Sequence, residues 1–388
     1  MCDDLRKIAV LTGTRAEYGV MKNILRRIEK SNKLQLLLIV TGTHLSKRYG
    51  HTIDEIVSDG FTVVEEIPLQ GDFSENMRIP REMALLIQEL SACFDALSPD
   101  ILMLCGDRYE ALAAASVAVG MHIPIAHISG GESTEGAMDE QIRHAITKMA
   151  HIHFPGATVY AGNIRNMGEE AWRVFEVGDP GIENIRCVKM LSREGLEQEL
   201  NITINRQTLL VTYHPVTLER EQLAWQVDNL IQALKKHDGT KVITYPNSDD
   251  GSEVIIDKLN QYAKEDEKVT FLHSLGSSKY LSVMKYCGAV VGNSSSAIIE
   301  SPYMHIPTVN IGNRQKGRLM ADSIISCGYE AKEISAAIEK ALSSQFYDEV
   351  RKTKSIYGDG NTSEQIVRIL EEIEIDEKLI KKKLQWGD

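Results

Sequence analysis

The chain has 388 residues, 43% hydrophobic and 25% charged, with a formal net charge of −12. That length accommodates two core-bearing domains, and the acidic balance excludes nucleic acid or an anionic membrane as a partner, though not one nucleotide in a local basic pocket. No apolar run approaches the ~18 residues of a membrane span, and none follows Arg6-Lys7 as in a secretory signal, so a cytoplasmic protein is expected.

Strand and helix alternate from the start. Lys7–Leu11 and Leu34–Val40 read as buried strands with an amphipathic helix, Tyr18–Lys30, between them. Strands at Phe61–Ile67, Ile101–Leu104, Ile123–Ile128, His151–Phe154 and Val174–Val177 continue the series. Helices are expected at Pro80–Leu97, Tyr109–Gly120, Asp139–Ala150 and Thr158–Met167. This is the pattern of a doubly wound α/β domain over residues 1–180. Gly178-Asp-Pro-Gly181 punctuates it, and a polar helical stretch runs on to about Asn205. A second α/β series fills 181–365, with strands at Thr208–Tyr213, Lys241–Tyr245, Val269–Leu272, Ala289–Gly292 and Thr308–Ile311. Residues 366–388 read as a helical tail whose Lys381-Lys-Lys383 run is a solvated helix end. Two such domains imply a cleft between them, a common place for a ligand.

The six cysteines have no paired spacing and read as reduced, buried thiols. His151-Ile-His153 puts two rings on one strand face, but no third ligand is nearby, so a strand edge is preferred to a metal site.

Chemistry is expected at the strand ends. After the first strand, Thr12-Gly-Thr-Arg15 offers backbone amides and a guanidinium to an anion, although a plain strand-to-helix turn explains it equally well. Cys105-Gly-Asp107-Arg108-Tyr-Glu110 ends a later strand, and Glu132 and Asp139 follow the next one. Asp107, Glu132 and Asp139 are placed to converge, and carboxylates held close together separate into an acid and a base at neutral pH. His214, after the first strand of the second half, would face them across the cleft. Asn293-Ser294-Ser295-Ser296 opens a helix with more hydroxyls than one cap needs, which suits a diphosphate. Glu300 then suits the two hydroxyls of a ribose, and Arg314 adds positive charge to the same pocket.

Taken together, these motifs resemble the UDP-N-acetylglucosamine 2-epimerase family, and within it the hydrolysing branch that starts sialic-acid synthesis. The matching segments are GTRAEYG (13–19), VTGTHL (40–45), YGHTI (49–53), GDRYE (106–110), GGE (130–132) with DEQIRHAITKMAH (139–151), YHPVT (213–217), PNSDDGS (246–252), GNSSSAIIE (292–300) and NIGNRQKGR (310–318). The resemblance implies a GT-B-like α/β fold, two Rossmann-like doubly wound domains with the nucleotide sugar in the cleft between them. It implies conversion of UDP-N-acetylglucosamine and water to N-acetylmannosamine and UDP, by elimination of UDP and hydration of a glycal-like intermediate. It makes Asp107 and Glu132 the acid/base pair, with Asp139 sharing or orienting protons. Arg108 would hold the substrate, and His214 would contact the phosphates or protonate the leaving group. His44 and Asn247 match positions lining the sugar and nucleotide pockets. No metal or cofactor is required, and homodimers or homotetramers are implied. Many relatives carry an acid where this chain has Ser129, which leaves Glu132 as the candidate here.

Side chains near 44–51, 70–80 and 133–138 are expected to select the sugar's C4 and C6 substituents. The alternative substrate is a UDP-2,4-diacetamido-2,4,6-trideoxy sugar of legionaminic-type acid synthesis. A GT-B glycosyltransferase or a non-catalytic nucleotide-sugar sensor would share the nucleotide pocket but leave the carboxylate cluster without a task.

Overall fold

A computed structural model describes residues 5–47, 51–69, 75–133, 138–246 and 251–385. The chain divides into two compact units, Met1–Asn184 with Gly358–Asp388, and Ile185–Tyr357. In chain order the first unit opens with β1 (Arg6–Thr12), α1 (Arg15–Glu29), β2 (Leu34–Thr41), α2 (Ile53–Ser58), β3 (Val63–Ile67) and α3 (Glu75–Leu97). It continues with β4 (Ile101–Cys105), α4 (Tyr109–Gly120), β5 (Ile125–Ile128), α5 (Met138–Met149), β6 (Ile152–Phe154) and α6 (Thr158–Asn166). Then α7 (Pro180–Cys187) leads into α8 (Arg193–Leu200), β7 (Leu209–Thr212), α9 (Leu223–Lys236), β8 (Lys241–Thr244) and α10 (Ser252–Glu265). The second unit is completed by β9 (Val269–Leu272), α11 (Gly276–Tyr286), β10 (Ala289–Gly292), α12 (Ser295–Tyr303), β11 (Thr308–Ile311), β12 (Ile324–Cys327), α13 (Ala331–Leu342) and α14 (Ser344–Val350). The chain closes with α15 (Thr362–Glu372) and α16 (Glu377–Ile380).

Each unit is built on a six-stranded parallel sheet, ordered β3-β2-β1-β4-β5-β6 in the first and β12-β11-β10-β7-β8-β9 in the second. Strands covered on both faces become continuous apolar runs, and β4 (Ile-Leu-Met-Leu-Cys) is buried at every position. Side-chain alternation then splits the first unit's core in two. Ile8, Val10, Leu38, Val40, Ile101 and Met103 pack with Ile24, Leu25 and Ile28 of α1 and with Ile366, Val367 and Leu370 of α15. Ala9, Leu37, Ile39, Leu102 and Leu104 pack on the other face with Leu86, Leu90 and Phe94 of α3. On that face α4 contributes Ala111, Ala113, Ala114, Ala115 and Ala118, small enough to pack closely in the layer. Each Leu or Ile taken from water in this way contributes about 1.5–3 kcal/mol. Both sheets therefore reverse strand order at one point, between β1 and β4 and between β10 and β7, which is where open α/β sheets place their ligands. Two Rossmann-like doubly wound units in one chain make the fold GT-B-like.

The structure adds α2, which the sequence reading did not include, and departs from the expected elements in four further places. Val174–Val177 forms a single bridge, His153 to Val174, because the chain leaves the sheet edge after one pairing. The second sheet gains β12, an edge strand whose half-exposed Ile-Ile-Ser-Cys lacks the apolar density of a central strand. The helix expected from Pro80 begins at Glu75, with Pro80 inside it. The Lys381–Lys383 run is not wholly solvated: Lys382 Nζ lies 2.8 Å from the buried Glu169 carboxylate and donates to the Lys148 carbonyl at 2.6 Å. Glu169 also accepts from Lys148 Nζ at 2.5 Å and from His153 Nε2 at 3.1 Å. The fully buried Arg173 donates to the carbonyls of Leu379 and Lys378 at 2.8 and 2.7 Å, so the end of the chain is pinned to the first unit. Among the described residues, no helix is long and apolar enough to cross a membrane.

Candidate active site

In the first unit the ends of β4 and β5, on one side of the switch point, are joined by one guanidinium. Arg143 on α5 is 3% exposed. It donates through Nη2 to the Asp107 carboxylate and through Nη1 to the Glu132 carbonyl at 3.1 Å. A further carboxylate, Glu140, lies 3.7 Å from Nη1. One side chain thus ties the β4 end, the turn after β5 and the start of α5. The Gly131 φ of +77° and the 2.4 Å approach of a would-be Cβ to the Tyr160 carbonyl leave room for glycine alone. That turn brings Glu132 to a buried position (7% exposed). His127 on β5 fixes the preceding loop, its Nε2–H donating to the Gly106 carbonyl at 2.7 Å, and burial lowers its pKa to about 4.

Of the three acids expected to converge, Glu132 acts on the buried Cys105 at the end of β4. Its thiol pKa is pushed well up by burial and further by the charges of Glu17, Asp179 and Glu132, with Arg143 opposing. Asp139, in the first turn of α5, has its pKa raised by burial and by Glu110, against the pull of Arg108. Arg108 itself makes two parallel bonds to the buried Glu110, Nε to Oε2 at 3.1 Å and Nη2 to Oε1 at 2.8 Å. Arg143 thus joins Asp107 and Glu132, while Asp139 interacts with Arg108 and Glu110.

Two expected ligand contacts look elsewhere. Arg15 is exposed and pairs with Glu55 at 2.9 Å. His44 is fully buried, its Nε2 3.1 Å from Thr12 Oγ1 and its Nδ1 2.8 Å from Thr52 Oγ1, and burial lowers its pKa to about 4. The Gly13 and Thr14 amides, read from sequence as a possible anion cradle, are taken by Glu17 Oε2 at 2.8 and 3.1 Å in a capping box. Asn247 lies outside the described residues, as do parts of the segments expected to select the sugar's substituents.

In the second unit Asn293 is the joint. Its side chain accepts from the His214 amide at 2.7 Å and returns a bond to the His214 carbonyl at 2.9 Å. Its own carbonyl accepts from Arg314 Nη1 at 3.1 Å and Gln315 Nε2 at 2.8 Å, and its amide donates to Thr212 at 3.2 Å. The ends of β7 and β10 and the loop after β11 are thereby locked together, carrying His214 and Arg314. Ser294 occupies the N-cap of α12 with an extended backbone, yet its hydroxyl makes no capping bond, so helix capping does not explain it. Ser295 begins the helix, and Glu300 accepts from Ser296 Oγ one turn on.

The family described as UDP-N-acetylglucosamine 2-epimerase matches residues 26–371. The chain belongs to that family. As a UDP-N-acetylglucosamine 2-epimerase family member it is 37% identical to a GDP/UDP-N,N'-diacetylbacillosamine 2-epimerase (hydrolyzing) of Campylobacter jejuni, covering 88% of each chain. It is 32% identical to a UDP-N,N'-diacetylbacillosamine 2-epimerase (hydrolyzing) of Legionella pneumophila, covering 97% of this chain and 99% of that one. A crystal structure of UDP-GlcNAc 2-epimerase from Neisseria meningitidis bound to UDP-GlcNAc shares the fold, with a TM-score of 0.80 at 18% identity over 94% of this chain and 99% of that one. For the family member described here, sequence reasoning missed Arg143, Glu110, Glu17 and Gln315. Arg143 follows Asp139 by one helical turn and Glu17 completes a Thr-x-x-Glu box, both visible patterns. The pairings across the fold were not.

Proposed function

We propose that this chain is a hydrolysing 2-epimerase of a UDP-linked N-acetylated sugar, releasing UDP and the free C2 epimer. The sugar C2–H has no adjacent carbonyl to acidify it, so its removal is coupled to departure of UDP from C1 and leaves a glycal-like intermediate. Water then adds at C1 while a proton reaches C2 from the opposite face. Such a route needs two proton-handling groups set differently. The observation that carries the reading is the Arg143 junction. Arg143 holds the Asp107 carboxylate at the β4 end, and the pKa of Asp139 is raised by burial and by Glu110 against the pull of Arg108, so the two acids sit in different settings. Glu132, buried beside them, completes the set.

In the second unit, His214, Arg314, Ser294 and Ser295 are assigned to the diphosphate, with Asn293 holding their loops and Glu300 on the ribose. Arg15 is assigned to a phosphate contact, because an exposed pair with Glu55 is worth only about 0–1 kcal/mol and exchanges easily for a phosphate. His44 acts by bracing Thr12 and Thr52. The sequence put UDP-N-acetylglucosamine first among substrates; the names of the Campylobacter and Legionella relatives move UDP-N,N'-diacetylbacillosamine ahead of it. UDP-N-acetylglucosamine remains the second reading, supported by the family's own description.

The test incubates the protein separately with both UDP-sugars in deuterated water and no acceptor. Free UDP and a C2-deuterated epimer are expected, faster from the diacetamido sugar. Release from UDP-N-acetylglucosamine alone would exchange the two readings. A C2 epimer still bound to UDP would refute hydrolysis, and turnover only with an added acceptor would make the protein a transferase.

A further inference from the structure

Glu110 is 1% exposed, yet no expected role uses it. Its carboxylate lies on the backbone at the switch point: a Cβ on Gly13 would come within 3.2 Å of Oε1, and one on Gly42 within 3.0 Å. Three strand ends, β1, β2 and β4, therefore close on a single carboxylate. From its own helix it is held by both bonds of the Arg108 fork, a geometry that leaves the guanidinium one orientation. The charged and titratable groups around it come from every neighbouring element. Glu17 stands on α1, Asp139 on α5, and Arg108 with Tyr109 at the start of α4; Tyr109 in turn donates to Glu82 of α3 at 2.6 Å.

We infer that Glu110 is a positioning residue of the proton-handling site: it fixes the Arg108 guanidinium, and its buried charge acts on Asp139 and Glu17 on either side. The inference rests on the proposed hydrolytic reading for what Arg108 and Asp139 do. Its physical basis is independent of that reading. A buried carboxylate disfavours ionisation of acids nearby, and both Asp139 and Glu17 are raised, first by burial and then with Glu110 contributing, while Arg108 opposes in each case. Glu110 also keeps Arg108 from turning fully to either acid.

Two substitutions separate the parts. Glu110→Gln keeps the shape and removes the charge, so the limb of the kcat/KM pH profile governed by Asp139 moves to lower pH. Glu110→Asp keeps the charge but shortens the reach to Arg108, so the limb stays and KM rises several-fold. Titration of isotope-labelled aspartate carboxyls in the free protein reads the same downward movement of Asp139 in Glu110→Gln without turnover. That readout stands even if no UDP-sugar is hydrolysed, so failure of the proposed function and failure of this inference are distinguishable. An Asp139 titration identical in wild type and Glu110→Gln, with only a lower melting temperature, would overturn the inference. So would a Glu110→Asp enzyme with an unchanged KM.

Discussion

Glu17 gives the sharpest quantitative expectation. Its carboxylate caps α1 from inside the first unit, and its pKa is raised from 4.5 to about 7, chiefly by burial and then by Glu110. A carboxyl that binds its proton more tightly when folded weakens the fold as pH rises from the unfolded pKa to the folded one. The penalty is absent below about 4.5 and complete above about 7. At about 1.4 kcal/mol per unit, the rise amounts to roughly 3 kcal/mol in full, of which about 2–3 kcal/mol develops between pH 5 and pH 8. Glu17→Gln retains an acceptor for the Gly13 and Thr14 amides and abolishes the titration. Buried histidines titrate over part of the same range: His44 and His127, both lowered to about 4, remove stability as pH falls below about 6.5. The useful quantity is therefore the difference between variant and wild type, in which the histidines cancel. Hydrogen exchange of β1 and α1 peptides at several pH values reads this unit directly. The variant should gain about 2–3 kcal/mol on wild type between pH 5 and pH 8. A difference that does not change with pH would show that Glu17 is ionised in the fold at neutral pH and would refute the argument.

Arg143→Leu should destabilise the first unit by about 3 kcal/mol, read by thermal unfolding, since it strands Asp107 and the Glu132 carbonyl. Turnover should fall at least about a hundredfold, and a variant with normal kcat would remove Arg143 from the site. Glu169→Gln leaves Lys382, Lys148 and His153 facing a neutral group and should cost about 3–5 kcal/mol. Because its pKa is held down to about 2 by its cationic partners against the cost of burial, the wild-type contribution is present above about 4.5 and disappears as pH falls toward 2. Limited proteolysis should then release the residues after Ile380 faster than in wild type. Asn293→Ala unlocks His214 from the loop carrying Arg314 and should weaken UDP binding about tenfold or more in calorimetry, with little effect on the first unit's exchange rates.

The fold was legible where one residue pattern answers to one environment. The bounds of α4, β10 and β11 coincide with the reading from sequence, because alanine-rich or β-branched runs that meet a glycine or proline leave little choice, and those of β9 coincide as well. β12 escaped because an edge strand needs no continuous apolar run. At the site, Asp107, Glu132 and Asp139 were visible as acids after strands, a position that follows from local order alone. The pairing of Arg143 with Asp107 was not, since it joins residues 36 apart and depends on how α5 packs. His44 shows the converse: the family resemblance implied a pocket-lining position, while tertiary packing gives both ring nitrogens hydroxyl neighbours within the protein.

The return of α15 to the first unit also dictates a schedule for synthesis. The apolar face of α1, with Ile24, Leu25 and Ile28, is completed by Ile366, Val367 and Leu370. Between α1 and α15 the ribosome must add roughly 330 residues, which at about 5–20 residues per second takes on the order of twenty seconds to a minute. By the end of that interval the uninterrupted second unit, Ile185–Tyr357, has all its strands available before the first has all its helices. The later-made half is the one able to finish folding first, and the nascent α1 face is a natural client for chaperones until the chain comes back to cover it.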